Sequence, residues 1–65
     1  MQFTIAEVRQ AAERLPEAQR QVIALRFGAG YNVAETAKAL GKSENNVKVL
    51  QHKAIAKLQQ LVRRD

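Results

Sequence analysis

The chain has 65 residues, 46% of them hydrophobic and 26% charged, with no cysteine and a formal net charge of +5. This length allows one small domain with one core and disfavours a catalytic domain with a deep pocket. The lack of cysteine excludes disulfides and thiolate chemistry, and no apolar run reaches the roughly 18 residues of a membrane span. The first residues also lack a secretory leader, which predicts a cytoplasmic protein or an excised piece of one.

Two helices are predicted in the first half of the chain. Thr4 and Glu7 form a capping box at the start of a helix over about residues 4–14. Pro16 cannot continue that helix but suits the first turn of a second one, over about 16–27, which ends before a pair of glycines. The two helices therefore meet at a sharp corner.

Two further helices follow in the second half. Asn32 is a good N-cap for a short helix over about 33–40, which Gly41 ends. Ser43 caps a longer helix over about 44–62. Its apolar stripe consists of Val47, Leu50, Ala54, Leu58 and Leu61. The fold class is therefore all-α, a compact four-helix domain, and we expect its core to centre on Val22, Leu25, Leu40, Val47 and Leu58.

Residues 33–50 have the spacing of a helix-turn-helix. Ala37, Gly41 and Val47 lie four, eight and fourteen residues after Val33. Ala37 is small where the two helices cross, and Gly41 tolerates a left-handed backbone in the turn. A purely structural helical hairpin needs similar residues, so the spacing alone leaves both interpretations open.

Positive charge favours the DNA-binding interpretation. Residues 1–32 contain four basic and three acidic side chains, whereas residues 33–65 contain seven and three. An excess of this kind suits a polyanionic partner, although solubility also accounts for it.

The outward face of the last helix carries side chains suited to DNA. It presents Asn45, Lys48, Val49, His52, Lys53 and Ala56. Lys48 can donate to guanine or phosphate, Asn45 can contact a base edge or a phosphate, and Lys53 is placed for the DNA backbone. Val49 suits a thymine methyl group or a protein interface. His52 is either a solvated surface histidine or a phosphate or base contact.

A longer pattern extends over residues 12–62. It consists of Leu15-Pro16-x-x-Gln19-Arg20-x-Val22-Ile23-x-Leu25-Arg26-Phe27, then Gly30, Ala37, Leu40-Gly41-x-Ser43-Glu44, Val47-Lys48 and His52-Lys53-Ala54. This combination closely resembles region four of bacterial sigma factors, with the compact extracytoplasmic-function branch fitting best.

The resemblance implies a domain that docks on the flap of the RNA polymerase β subunit and presents its last helix to the minus-thirty-five promoter element. Base-contacting positions of the family correspond to Lys48, Val49 and His52. Phosphate-contacting positions correspond to Lys53 and the helix start, with Ser43, Asn45 and Asn46. The flap surface is formed largely by the first two helices, so that Val22, Leu25 and Phe27 divide between the core and a partner groove.

The resemblance also implies that residues 1–65 are one domain of a longer sigma factor, with Met1 introduced where the piece was cut. An anti-sigma factor or a transcription activator is a further expected partner, and a module that is chiefly captured by such a protein is an alternative function, suggested by Val49 on an otherwise polar face. The sequence shows neither a catalytic constellation nor a phosphate-binding loop, and the lone His52 has no second ligand nearby. We therefore expect no enzyme activity, cofactor or metal.

Three departures from the family pattern stand out. Thr36 and Lys42 occupy positions that are usually aliphatic, and Val49-Leu50-Gln51 stands where Ser-Arg-Leu is common. The last departure predicts that Leu50 faces the core instead of Gln51 and removes a basic residue from the groove-facing side.

A second family offers an alternative. DNA-binding domains of response regulators of the quorum-sensing type carry a Glu-Asn-x-Val-Lys-Val run, and this chain has Glu44-Asn45-Asn46-Val47-Lys48-Val49. That family commonly has histidine directly after the last valine, where this chain has Leu50. The Leu15-Pro16 pair at the start of the longer pattern favours the resemblance to sigma factors over this alternative.

Overall fold

The computed structural model describes residues 4–62, apart from the side chain of Ile5. This part of the chain forms four α-helices without a strand: α1 (Ile5–Ala12), α2 (Glu17–Ile23), α3 (Val33–Leu40) and α4 (Glu44–Val62). A π-helical turn over Ala24–Gly28 directly continues α2. The predicted all-α, four-helix fold with a C-terminal helix-turn-helix is confirmed.

The first helix is shorter than predicted. Its capping box is present, since the Glu7 backbone N–H donates to Thr4 Oγ1 at 3.1 Å and the Thr4 N–H donates to Glu7 Oε1 at 2.9 Å. The α-helix ends at Ala12 instead of residue 14, and the Leu15 N–H donates to the Ala12 carbonyl only three residues back, at 3.1 Å. Pro16 has no N–H to donate to the Ala12 carbonyl, and its ring would clash with that carbonyl in a continued helix, which explains the early end.

The end of the second predicted helix is π-helical. The Ala29 N–H donates to the carbonyl of Ala24, five residues back, at 2.9 Å. The Tyr31 N–H then donates to the carbonyl of Leu25 at 2.8 Å, and Gly30, at φ +78°, provides the left-handed residue that turns the chain back. Apolar spacing does not separate a π-turn from an α-turn, so the prediction of one regular helix over 16–27 is corrected here.

The helix-turn-helix is closed by local hydrogen bonds. At the start of α3, the Glu35 N–H donates to Asn32 Oδ1 at 2.7 Å and the Asn32 N–H donates to Glu35 Oε1 at 2.9 Å. At its end, Gly41 adopts φ +66° and the Lys42 N–H donates to the Ala37 carbonyl at 2.9 Å. This arrangement is a Schellman motif, and it sets the direction in which α4 begins.

Two apolar clusters form the core. The N-terminal cluster contains Ala11, Leu15, Ile23, Ala54 and Leu58, and the helix-turn-helix cluster contains Val22, Ala37 and Val47. Adjacent residues of α2, Val22 and Ile23, therefore pack into different clusters. Val22 and Val47 have no exposed surface. The prediction that Leu25 and Leu40 also lie at the centre is wrong, because both are only half-buried, Leu25 within the π-turn and Leu40 against the edge of the helix-turn-helix cluster.

Candidate nucleic-acid interface

The α4 helix and the residue before it carry all seven side chains predicted to contact DNA. Every one of them is exposed: Ser43, Asn45, Asn46, Lys48, Val49, His52 and Lys53. Ser43 precedes the helix, and its Oγ accepts a hydrogen bond from the Asn46 N–H at 3.0 Å. This N-cap fixes the start of α4. The positive end of the α4 helix dipole therefore lies at an exposed part of the surface.

Five of the seven residues share one face of α4. At about 100° per residue, they occupy an arc of roughly 140° opposite the buried Val47. In order around the helix they are Lys48, His52, Asn45, Val49 and Lys53. The two lysines thus border a face whose middle holds a histidine, an amide and a valine, an arrangement in which long cations reach phosphates while shorter side chains approach base edges. Asn46 lies beyond Lys53, at the margin of this face.

Val49 is the apolar member of the face, and 43% of its surface is exposed. Its neighbour Leu50 packs against the helix-turn-helix cluster, as the departure from the family pattern predicts. Val49 is thus available to a thymine methyl group or to an apolar partner side chain.

A second candidate surface contains no residue of α4. A groove of about 570 Å³ runs between α1 and α2 with its π-turn. It is lined by Val8, Arg9, Ala12, Arg20, Ile23, Ala24, Phe27 and Gly28. Phe27 is 58% exposed at this groove, whereas Val22 is fully buried and Leu25 is half-buried. Of the three apolar residues that the sequence could not divide between core and groove, Phe27 therefore belongs to the surface and Val22 to the core.

Arg26 makes contacts that no sequence pattern predicts. Its Nε donates to Gln51 Oε1 in α4 at 2.8 Å, and its Nη1 donates to the Tyr31 carbonyl at 2.7 Å. The guanidinium carbon also lies 5.6 Å from the centre of the Phe27 ring. The two hydrogen-bonded side chains are 25 residues apart. Local periodicity contains no signal for such a pair, although the unusual polar residue at position 51 is visible in the sequence.

Within residues 4–62, no group of three or more histidine, aspartate and glutamate side chains is placed to hold a metal ion. None of the helices in this same part of the chain is long and apolar enough to cross a membrane.

The fold and the polar face of α4 define a helix-turn-helix DNA-binding domain. The family described as sigma-70, region 4, matches residues 11–60, and the chain belongs to this family. The family is one of DNA-binding regulatory domains and not a class of enzymes. The resemblance predicted from the sequence is thereby confirmed, and the response-regulator alternative is not favoured.

Several extracytoplasmic-function (ECF) sigma factors are similar to this chain. The ECF RNA polymerase sigma factor BldN of Streptomyces coelicolor is 42% identical over 52 residues, which are 80% of this chain and 20% of BldN. SigX of Bacillus subtilis is 45% identical over 51 residues, 78% of this chain and 26% of SigX. SigD of Mycobacterium tuberculosis is 34% identical over 55 residues, 85% of this chain and 26% of SigD. The chain thus spans about a quarter or less of each relative's length. No solved structure matches it.

Proposed function

We propose that this chain binds promoter DNA as region four of an ECF sigma factor, with α4 in the major groove of the minus-thirty-five element. The observation that best supports this proposal is the exposed face of α4, bordered by Lys48 and Lys53, in a chain of the sigma-70 region 4 family. In this proposal residues 1–65 act as one domain of a longer cytoplasmic sigma factor. The domain itself catalyses no reaction and needs no cofactor.

The proposed contacts divide by chemistry. Lys48, Val49 and His52 contact bases, with the Lys48 ammonium donating to guanine and the Val49 methyl groups meeting thymine. Phosphates are bound by Lys53 and by the polar start of α4, at Ser43, Asn45 and Asn46. Because a +5 domain neutralises only a few phosphates, binding by the domain alone is weak and depends strongly on salt.

The first test is an amide NMR titration with a short DNA duplex, at low and then at physiological salt. We expect shifts centred on residues 43–53 that diminish as salt rises. Shifts that spread evenly over the chain, or an affinity that is flat across the salt series, would contradict the proposal.

Two lysine variants separate base contacts from phosphate contacts. On duplexes selected from a randomised pool, Lys48→Ala relaxes the preference at one base pair by about 1–3 kcal/mol, whereas Lys53→Ala weakens all sequences alike. Arg14→Ala, which removes the same charge from an exposed residue after α1, is the matched control and leaves binding nearly unchanged. Equal losses on every duplex for both lysines would make Lys48 a phosphate contact.

The groove beside Phe27 is the proposed docking site for the β-subunit flap of RNA polymerase. An exposed phenylalanine at an apolar groove is a typical anchor for a partner segment. Phe27→Asp is expected to weaken binding to the polymerase core at least tenfold, or about 1.4 kcal/mol, while DNA binding by the chain is retained. Val49→Asp is the matched substitution on the DNA face. It is expected to weaken DNA binding while binding to the polymerase core is retained.

The exposure of Val49 also supports a second candidate partner, an anti-sigma factor or an activator that covers the DNA face. An exposed valine among polar side chains gives such a protein an apolar anchor. In a binding assay with a candidate partner, Val49→Asp weakens capture as well as DNA binding. Undiminished capture together with lost DNA binding would exclude Val49 from that interface.

A further inference from the structure

We propose that Arg26 is a positioning residue that holds α4 in its DNA-binding orientation through a hydrogen bond to Gln51. This inference rests on the proposed function, because it concerns the same DNA face. It assigns a role to a basic residue of the π-turn that is not part of that face.

The Arg26 side chain joins three parts of the fold. Arg26 itself belongs to the π-turn, its Nη1 reaches the Tyr31 carbonyl in the loop before α3, and its Nε reaches Gln51 in α4. Both hydrogen bonds are short, at 2.7 and 2.8 Å, as expected when the donor is charged. We call this set of contacts the Arg26 bridge.

The position of Gln51 makes the bridge relevant to DNA. Gln51 is half-buried and lies directly before His52 and three residues after Lys48, so it is next to the DNA face without belonging to it. A hydrogen bond at this point adds a directional restraint against rotation of α4 about its own axis, in addition to the close packing of Val47 and Leu50 in the helix-turn-helix cluster. Small rotations displace Lys48 and His52 relative to base edges.

The same contacts indicate that the Arg26 guanidinium acts within the fold. Arg26 is half-buried, Nε and Nη1 are occupied, and the Phe27 ring lies near the guanidinium. The planar guanidinium donates in two directions at once, which an ammonium on a lysine stem cannot reproduce in this geometry. A leucine at position 51 would have no oxygen to accept the hydrogen bond, so the bridge depends on the Gln51 amide.

The test compares Arg26→Lys, Gln51→Leu and the double variant of the 65-residue chain, with Gln59→Leu as the control for an exposed glutamine of the same helix. Affinity for a selected duplex is measured by fluorescence anisotropy over a salt series, at a temperature where circular dichroism shows every variant to be folded. We expect each single substitution to lower affinity about three- to tenfold and the double variant to be no weaker than the weaker single one. The dependence on salt remains that of the original chain, and Gln59→Leu binds normally.

Several results would overturn the inference. If Arg26 contacts phosphate directly, Arg26→Lys retains most of the affinity, Gln51→Leu has no effect, and an Arg26→Met variant lowers the salt slope by about one phosphate. If the bridge only stabilises the fold, the substitutions lower the unfolding temperature while affinity in the folded range is unchanged. If the unsubstituted chain binds no duplex, the proposed function fails and the inference fails with it, a result distinct from the others.

Discussion

The helix-turn-helix and the α2 segment with its π-turn are built in different ways. Both ends of α3 are closed by their own neighbours, through the Asn32–Glu35 capping box and the left-handed Gly41. The α2 helix begins after Pro16, which provides no side-chain cap, and continues into a π-turn whose Arg26 contacts a residue far along the chain. The first region is determined locally and the second by tertiary contacts, and each carries one of the two candidate surfaces.

The strongest test of this difference is truncation of one apolar side chain in each region. Val47→Ala is expected to lower the free energy of unfolding by about 2–3 kcal/mol, because Val47 is fully buried between α2, α3 and α4. Leu25→Ala in the π-turn removes a larger but half-buried side chain and costs about 1 kcal/mol. Urea denaturation measures both values. A greater loss for Leu25 would show that the π-turn is the more important support.

Glycine substitutions provide a smaller and more local test. Gly41 has φ +66°, and no neighbouring atom lies within 4 Å of the position that an alanine methyl group would take, so Gly41→Ala costs about 1–2 kcal/mol through backbone strain alone. Gly28, at the end of the π-turn, has equally open surroundings without a positive φ, and Gly28→Ala is expected to be neutral or to stabilise by up to about 0.5 kcal/mol. Thermal unfolding followed by circular dichroism compares the two. Similar losses would mean that the π-turn also requires glycine.

The last test concerns an expected gain in stability inside the helix-turn-helix. Thr36 is fully buried in α3, and its Oγ1 has no hydrogen-bond partner among residues 4–62. Thr36→Val keeps the shape and removes the unpaired hydroxyl, so we expect stabilisation of about 1 kcal/mol. Thr36→Ser, which keeps the hydroxyl and removes a methyl group, is expected to destabilise. Urea denaturation of both variants checks this, and a loss on Thr36→Val would show that the hydroxyl is satisfied within the fold.

The same contrast explains how far the sequence could predict the structure. Caps, glycines and apolar spacing are local signals, and they predicted α3, α4 and the inward orientation of Leu50. The π-turn was missed because it depends on which carbonyl accepts each N–H, and apolar spacing does not encode that choice. Leu25 was therefore placed too deep in the core.

The candidate site was predictable in outline only. Helical geometry was sufficient to place Lys48, Val49 and His52 on the outward side of α4, where the structure finds them exposed. Their contacts with DNA stay a prediction. Assigning Phe27 to the surface and Val22 to the core requires knowing how α2 and its π-turn pack against the two clusters. The Arg26–Gln51 hydrogen bond forms only when two segments far apart in the sequence are brought together. Neither follows from a pattern within one helix.

The length of α4 has a consequence for how the domain unfolds. Its first half, with Val47, packs in one apolar cluster, and its second half, with Ala54 and Leu58, packs in the other. Adjacent residues of α2 connect the same two clusters, so neither can be exposed to water without loosening the helix that supports the other. Hydrogen exchange of the central α4 amides is then expected to require opening of the whole domain, and both surfaces would be lost in a single cooperative step.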